Sequence, residues 1–402
     1  KIDTQLAPFY SNTYNLLIGI ALLIGGILLG LFLYAVGALL FIPASLYMEF
    51  SFFLAALWIL TCGLALLETT ANPYILSMGH EDTSTQRLNL AQAFNPIGSL
   101  TGMFIASSFI LSQLEVEKFR AQEKAAHPEY ANLLPSEVDG KLTQALHDFS
   151  VASPDAHQAM QAADLVTVRG PYVAIAAIVA ILFIVFLFSK LPRTISHDHP
   201  LTLKELKATF GRLFANKCYL EGVLAQAFYV GAQIMCWTFV IHYGMTSVGL
   251  TASEAQSYNM IAMGLFLVSR FVCTFLLAYI RPGQLLMLLA AGGFTLTLGA
   301  IFIGGMTGLY CLIGVSACMS LMFPTIYGIA LKGMGDDASL ASAGLVMAIV
   351  GGALMPPMQG ALIDGSELIA GIPSVQTSFV LPLICFVVIC FYGFRAHNKY
   401  KV

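Results

Sequence analysis

Apolar blocks long enough to cross a bilayer recur along the whole chain, and no other property restricts its fold so tightly. Ten such runs lie near 14–46, 52–78, 88–112, 171–190, 220–245, 256–280, 284–304, 307–332, 340–364 and 375–395. A helix needs about 20 apolar residues to span the hydrocarbon core. In lipid only helices and closed barrels satisfy every backbone polar group. Runs of this length read as helices, so the chain is expected to be an all-α, polytopic membrane protein. Composition agrees, since 58% of the 402 residues are hydrophobic and 10% are charged, against roughly a quarter charged in soluble domains. The first run is too long for one upright crossing and too short for two. Gly25, Gly26 and Gly30 offer bending points within it.

Two polar stretches divide the runs. Residues 113–170 are acidic, with nine carboxylates from Glu115 to Asp164 against five basic residues, whereas residues 190–217 are basic. Cytoplasmic loops carry an excess of Lys and Arg, which places 190–217 inside. Alternation from there puts Arg87, Arg281, Lys332, Arg395, Lys399 and Lys401 inside as well. The short loops near 47–51, 246–255 and 305–306 fall outside and hold no Lys or Arg. The expected organisation is therefore an N-terminal bundle over 1–189 (with 113–170 as a long extracytoplasmic loop), a cytoplasmic linker over 190–217, and a six-helix bundle over 218–402. A faint internal echo suggests that the halves are pseudo-symmetric, as in many transporters. Pro73 precedes Gly98 by 25 residues, and Pro324 precedes Gly351 by 27.

Several chemistries are excluded or disfavoured. A net charge of −3 gives no footprint for nucleic acid. Six of the eight cysteines lie well inside apolar runs, and none is in the 113–170 loop, so no disulfide framework is implied. No phosphate-binding G-x-x-x-x-G-K-[ST], no H-E-x-x-H, no G-x-S-x-G and no Cys-x-x-Cys occurs. His197-Asp198-His199 lacks a third ligand and reads as a solvated loop, so no metal and no enzymatic activity are expected. No cleavable signal sequence is evident at the start.

Polar residues inside the runs carry the functional reading. Glu68 lies within the 52–78 run with no Lys or Arg nearby in sequence. Ionising a carboxylate in hydrocarbon costs several kcal/mol at least, so this group is expected to meet a cavity, a partner or a proton. Asn72 falls on the same helical face one turn later, and Pro73 loosens the helix beside it. In the third run Gln92 and Asn95 are i and i+3. In the fifth, Gln226, Tyr229, Gln233 and Trp237 form one helical stripe, and Asn259 opens the sixth. Amides that donate and accept, beside aromatics with a polar edge, match the hydroxyls and apolar ring face of a sugar. A single such amide is more often glue between helices, but the Gln92–Asn95 and Gln233–Trp237 pairs favour binding. Arg270 has two readings: a partner for Glu68, or a stem that carries its charge to the cytoplasmic surface about ten residues away, and the second is preferred.

The strings Leu67-Glu68-Thr69-Thr70-Ala71-Asn72-Pro73, Arg87-Leu88-Asn89-Leu90-Ala91-Gln92-Ala93-Phe94-Asn95 and Tyr229-Val230-Gly231-Ala232-Gln233-x-x-Cys236-Trp237 resemble the fucose:proton symporter family of the major facilitator superfamily. Phe323-Pro324-Thr325-Ile326 and the Gly351-Gly352 region fit the same pattern. The resemblance runs from about residue 26 to the end. It implies twelve helices, with the first run here as the third, Glu68 as the proton-exchanging carboxylate, and Gln92 and Asn95 near the sugar. Residues 1–25 do not match the family's first two helices, which either lie outside this chain or are replaced, so the aspartate of the first helix has no counterpart. Phe323 stands where the family's fucose carrier has tyrosine, and the 113–170 loop is larger. The expectation is a monomeric, multi-pass inner-membrane symporter of L-fucose or a related hexose, working by alternating access, with the C-terminus in the cytoplasm. Glu68 would carry the proton, and Asn72, Gln92, Asn95, Tyr229, Gln233, Trp237 and Asn259 the sugar. The proton is the coupling ion, with no cofactor. A uniporter, a symporter of another small polar solute, or a non-transporting sugar sensor are the alternatives.

Overall fold

The structure is a computed structural model and describes residues 26–110, 113–133, 135–189, 203–365, 369 and 371–400. Gly25 and the His197-Asp198-His199 stretch lie outside these residues, whereas Gly26 and Gly30, the other bending points expected, lie within a helix that runs on to Tyr47. Among the described residues the regular structure is entirely helical, and nine helices are long and apolar enough to cross a membrane.

The chain packs as two compact units. One holds the described residues between Ala21 and Thr70 together with those between Thr101 and Arg193; the other holds Ala71–Leu100 and the described residues after Thr194. In the first unit, helix α1 (Gly26–Tyr47) lies against α2 (Phe50–Ser77). A Cβ on Gly37 would sit 2.5 Å from the Leu60 nitrogen, and one on Gly63 2.5 Å from the Tyr34 nitrogen. Small residues thus let two backbones approach in a setting where lipid offers no hydrophobic drive to pair helices. Phe41 stacks on Tyr172 at 3.5 Å between ring centroids.

The third run departs from expectation. It begins earlier, as α3 (Ser84–Gln92), and breaks at Ala93 before α4 (Phe94–Ile105) and a π-helical turn at Ala106–Ile110. Pro96 removes the N–H that would bond the Gln92 carbonyl, which accounts for the break. The tenth expected span is therefore present as two shorter pieces. Residues 113–170 differ too: the expected loop is mostly helical, with α5 (Glu115–Ala126), α6 (Pro135–Ala152) and the first half of α7 (Pro154–Phe188). Asp164 caps α5 by accepting from the Glu115 nitrogen at 2.6 Å and the Val116 nitrogen at 3.2 Å. At 1.5 Å per residue, the 35 residues of α7 run about 52 Å, well beyond a core of about 30 Å. Its polar first half therefore extends out of the membrane.

The second unit is built from α8 (Leu203–Ala215), α9 (Lys217–Tyr243), α10 (Ala252–Leu276), α11 (Pro282–Phe302), α12 (Gly305–Met319), α13 (Met322–Leu331), α14 (Ala338–Met347), α15 (Gly351–Asp364) and α16 (Val380–Asn398). A capping box of Thr251 and Glu254 starts α10. Pro324 breaks the eighth run between α12 and α13, as expected. Residues 71–100, although they precede the linker in sequence, pack with these helices. Thr85 meets Gly328 and Leu88 joins the core of Tyr219, Tyr327 and Leu345.

Two packing details carry predictions. A Cβ on Gly351 would collide with the Ala227 carbonyl, a backbone atom that has no rotamer to escape into. Gly351→Leu is expected to cost more than the roughly 1–3 kcal/mol of ordinary overpacking. Size-exclusion of detergent-solubilised protein should show loss of the monodisperse peak, and a normal peak would refute this packing. Arg212 donates to Asp337 through Nε at 2.7 Å and Nη2 at 2.6 Å, and Thr209 adds a bond of 3.2 Å. The Arg212 hydrogen bonds hold the Asp337 carboxyl below its ordinary value. With a depressed folded pKa, the pair stabilises the protein above about pH 4, and that contribution disappears as pH falls through the folded value. Arg212 is largely exposed, which limits the pair to about 1 kcal/mol or less. The melting temperature of Asp337→Asn should lie slightly below that of the parent at pH 7 and converge with it in acid; a constant gap would contradict the assignment.

Candidate functional site

Glu68 lies on α2 with its side chain half-buried, and it makes no hydrogen bond or ion pair among the described residues. Thr69 and Thr70 on either side of the next turn bond back to the Ala65 and Leu66 carbonyls at 2.9 and 2.7 Å. Those threonines therefore spend their hydroxyls on the helix itself and leave the carboxyl as the free polar group of this turn.

Asn72, one turn on, is buried. Its Oδ1 accepts from Gln92 Nε2 at 3.1 Å, while its Nδ2 is buried without a partner among the described residues. Two amides from different helices thus meet, a pairing the sequence reading did not make, and the Gln92 Oε1 has no bond among the described residues. Asn95 is exposed and takes part only through its carbonyl, which accepts from Ser99 Oγ at 3.4 Å. Below Gln92 on α3, Asn89 is fully buried and donates through Nδ2 to Thr325 Oγ1 at 3.2 Å.

The α9 stripe is used more structurally than its composition suggested. Tyr229 is fully buried and its hydroxyl donates to the Met319 carbonyl at 3.1 Å. Trp237 is half-buried, with Nε1 donating to Ser316 Oγ at 3.3 Å and its ring edge-on to Phe266 at 5.1 Å. Gln233 lies between them, half-buried and without a bond among the described residues. Gln226 is completely buried, and neither of its amide atoms has a partner among the described residues. On α10, Asn259 is buried, its Oδ1 without a partner among the described residues, on the same face as Phe266 and Arg270.

Arg270 corrects the sequence reading. It does not run to the cytoplasmic surface but is 3% exposed. Its guanidinium lies 4.7 Å over the Phe266 ring, Nε donates to the Ser320 carbonyl at 2.6 Å, and Nη1 donates to the Gln92 carbonyl at 2.9 Å. It forms no ion pair among the described residues, so the pairing with Glu68 is not seen either. A chain of contacts therefore runs from Trp237 through Phe266 and Arg270 to Gln92 and Asn72. Sequence reasoning missed it, although a signal existed: both carbonyls precede a proline by four residues. No group of three His, Cys, Asp or Glu side chains able to hold a metal occurs among the described residues.

The amides and aromatics of this chain of contacts provide hydrogen-bond donors, acceptors and apolar ring faces within a membrane-spanning helical unit. That is the chemistry of a polyhydroxylated, uncharged ligand.

No family model matches the chain. An L-fucose-proton symporter of Haemophilus influenzae is 50% identical over 376 residues, which cover 94% of this chain and 82% of that protein. The Escherichia coli protein of the same name is 33% identical over 93% of this chain and 78% of its own length. A crystal structure of FucP, a major facilitator superfamily transporter in the outward conformation, superposes with a TM-score of 0.77 at 32% identity, covering 98% of this chain and 89% of that one.

Proposed function

The chain belongs to the L-fucose–proton symporter family of the major facilitator superfamily, and from that premise we propose that it carries L-fucose or a closely related hexose together with a proton. It is a multi-pass membrane transporter and not an enzyme. The observation that carries the site assignment is the Asn72–Gln92 amide pair, set one helical turn beyond the free carboxyl of Glu68.

The cycle follows from what each group does. Glu68 takes a proton from the outer side, because a neutral carboxyl is the form tolerated when the site closes and dries. Sugar then binds with its hydroxyls on Gln92, Asn95 and Gln233 and an apolar face on Trp237, while Asn72, Tyr229 and Asn259 hold the lining in place. The halves on either side of 190–217 rock about this midplane site, and Glu68 releases its proton inside. Coupling arises because the loaded turn is favourable only with the carboxyl neutral; an unpaired charge enclosed in a dry site is expensive. Positive-inside bias puts 190–217 and the C-terminus in the cytoplasm of the inner membrane, and the carrier works as a monomer.

Proteoliposomes test the function directly. Adding L-fucose outside should alkalinise the external medium and drive label inward, with related hexoses tested beside it. Uptake without alkalinisation would make the protein a uniporter, and binding without any flux would make it a sensor.

A further inference from the structure

Arg270 is a buried cation in a membrane-spanning helix with no carboxylate paired to it among the described residues, and such residues are costly enough to need a reason. The reason lies in two prolines. A helical carbonyl is normally bonded by the N–H four residues on. For Gln92 that residue is Pro96, and for Ser320 it is Pro324, so neither carbonyl has this donor. Arg270 supplies both, with Nη1 on Gln92 and Nε on Ser320, while Phe266 covers its flat face. The two broken helices lie on opposite sides of the 190–217 linker in sequence. We propose that Arg270 is a positioning residue of the transport cycle: it joins the two proline-freed carbonyls, holds Gln92 at the sugar site, and latches the α3–α10–α13 seam shut until the carrier turns.

The neighbouring bonds define that seam. Gln86 Nε2 donates to the Thr274 carbonyl at 3.2 Å, Asn89 bonds Thr325, and Thr85 meets Gly328. All lie on the side of Arg270 toward Arg87 and Arg281, the cytoplasmic side on the reading above, on which this inference rests. The three other contacts named here are neutral. The charged one is the strongest single tie, and its two donors are fixed in one plane. A lysine, a single point charge on a flexible stem, cannot reproduce that geometry.

Cys273, 6% exposed and beside Ser320, reports on the seam. In a background with the other seven cysteines replaced by alanine, a membrane-impermeant maleimide is applied to the cytoplasmic face of inside-out vesicles. Arg270→Lys should label several-fold faster than the parent and bind L-fucose about tenfold more weakly, the loss expected for one charged hydrogen bond. Pro96→Ala keeps Arg270 but returns an N–H to the Gln92 carbonyl. It should also raise labelling, and it serves if Arg270→Lys fails to fold. In Arg270→Gln, adding Pro96→Ala should recover folded yield but not sugar affinity. Parent-like labelling in both single variants would overturn the latch, as would full recovery of transport in Arg270→Gln/Pro96→Ala, which would mean Arg270 merely caps a carbonyl. Labelling needs no sugar, so if the parent bound no L-fucose the functional reading would fail while the latch remained tested.

Discussion

Glu68→Gln should abolish proton-driven accumulation of sugar while leaving exchange of internal for external sugar intact. A pH unit is worth about 1.4 kcal/mol, so a carrier moving one proton per sugar sustains about tenfold accumulation for each unit of gradient. The glutamine keeps the size and a hydrogen-bonding head but can neither take nor release the proton. It mimics the neutral carboxyl, the form in which the loaded carrier is expected to turn. Accumulation ratios in Glu68→Gln proteoliposomes should fall to about one under any pH gradient, with counterflow near the parent rate. Concentrative uptake surviving in this variant would remove Glu68 from the coupling.

Gln92→Ala is expected to have the next largest effect, on binding. Gln92 Nε2 is the only donor to Asn72 Oδ1 among the described residues, and Asn72 Nδ2 is already unpaired. Truncation leaves a buried amide with no partner at all, at about 1–3 kcal/mol, and removes the acceptor offered to the sugar. The dissociation constant for L-fucose should rise between about tenfold and a hundredfold. Trp237→Phe is a milder control, since it keeps an aromatic face and loses only the bond to Ser316. Calorimetric titration of purified protein checks both, and an affinity for Gln92→Ala within twofold of the parent would take Gln92 out of the site.

Membrane spans and candidate polar faces were legible because lipid imposes one rule on every segment, and apolar length reports it without knowledge of neighbours. Glu68 stood out for the same reason, as did Asn72 on its face and Gln92 with Asn95 once a helical period was assumed. What sequence could not show was which residues meet across helices. Arg270 read as a residue stretching to the surface because its partners are backbone carbonyls far along the chain, at Gln92 and Ser320. Backbone acceptors leave no side-chain signature; only the prolines four residues later hint at them. Tyr229 looked like a sugar contact but gives its hydroxyl to Met319, again a carbonyl. The 113–170 helices were missed because their polar composition suits solvated helix and loop alike, and the third run read as unbroken because its apolar content continues through Ala93.

Proton uptake on sugar binding tests the central claim most directly. Calorimetry of L-fucose binding in buffers of differing ionisation enthalpy, repeated across pH, gives the number of protons taken up per sugar bound. With Glu68 as the coupling carboxyl, the parent should take up about one proton wherever the empty carrier is deprotonated, and Glu68→Gln none. Equal proton uptake in the two proteins, or none in the parent at any pH, would contradict the account.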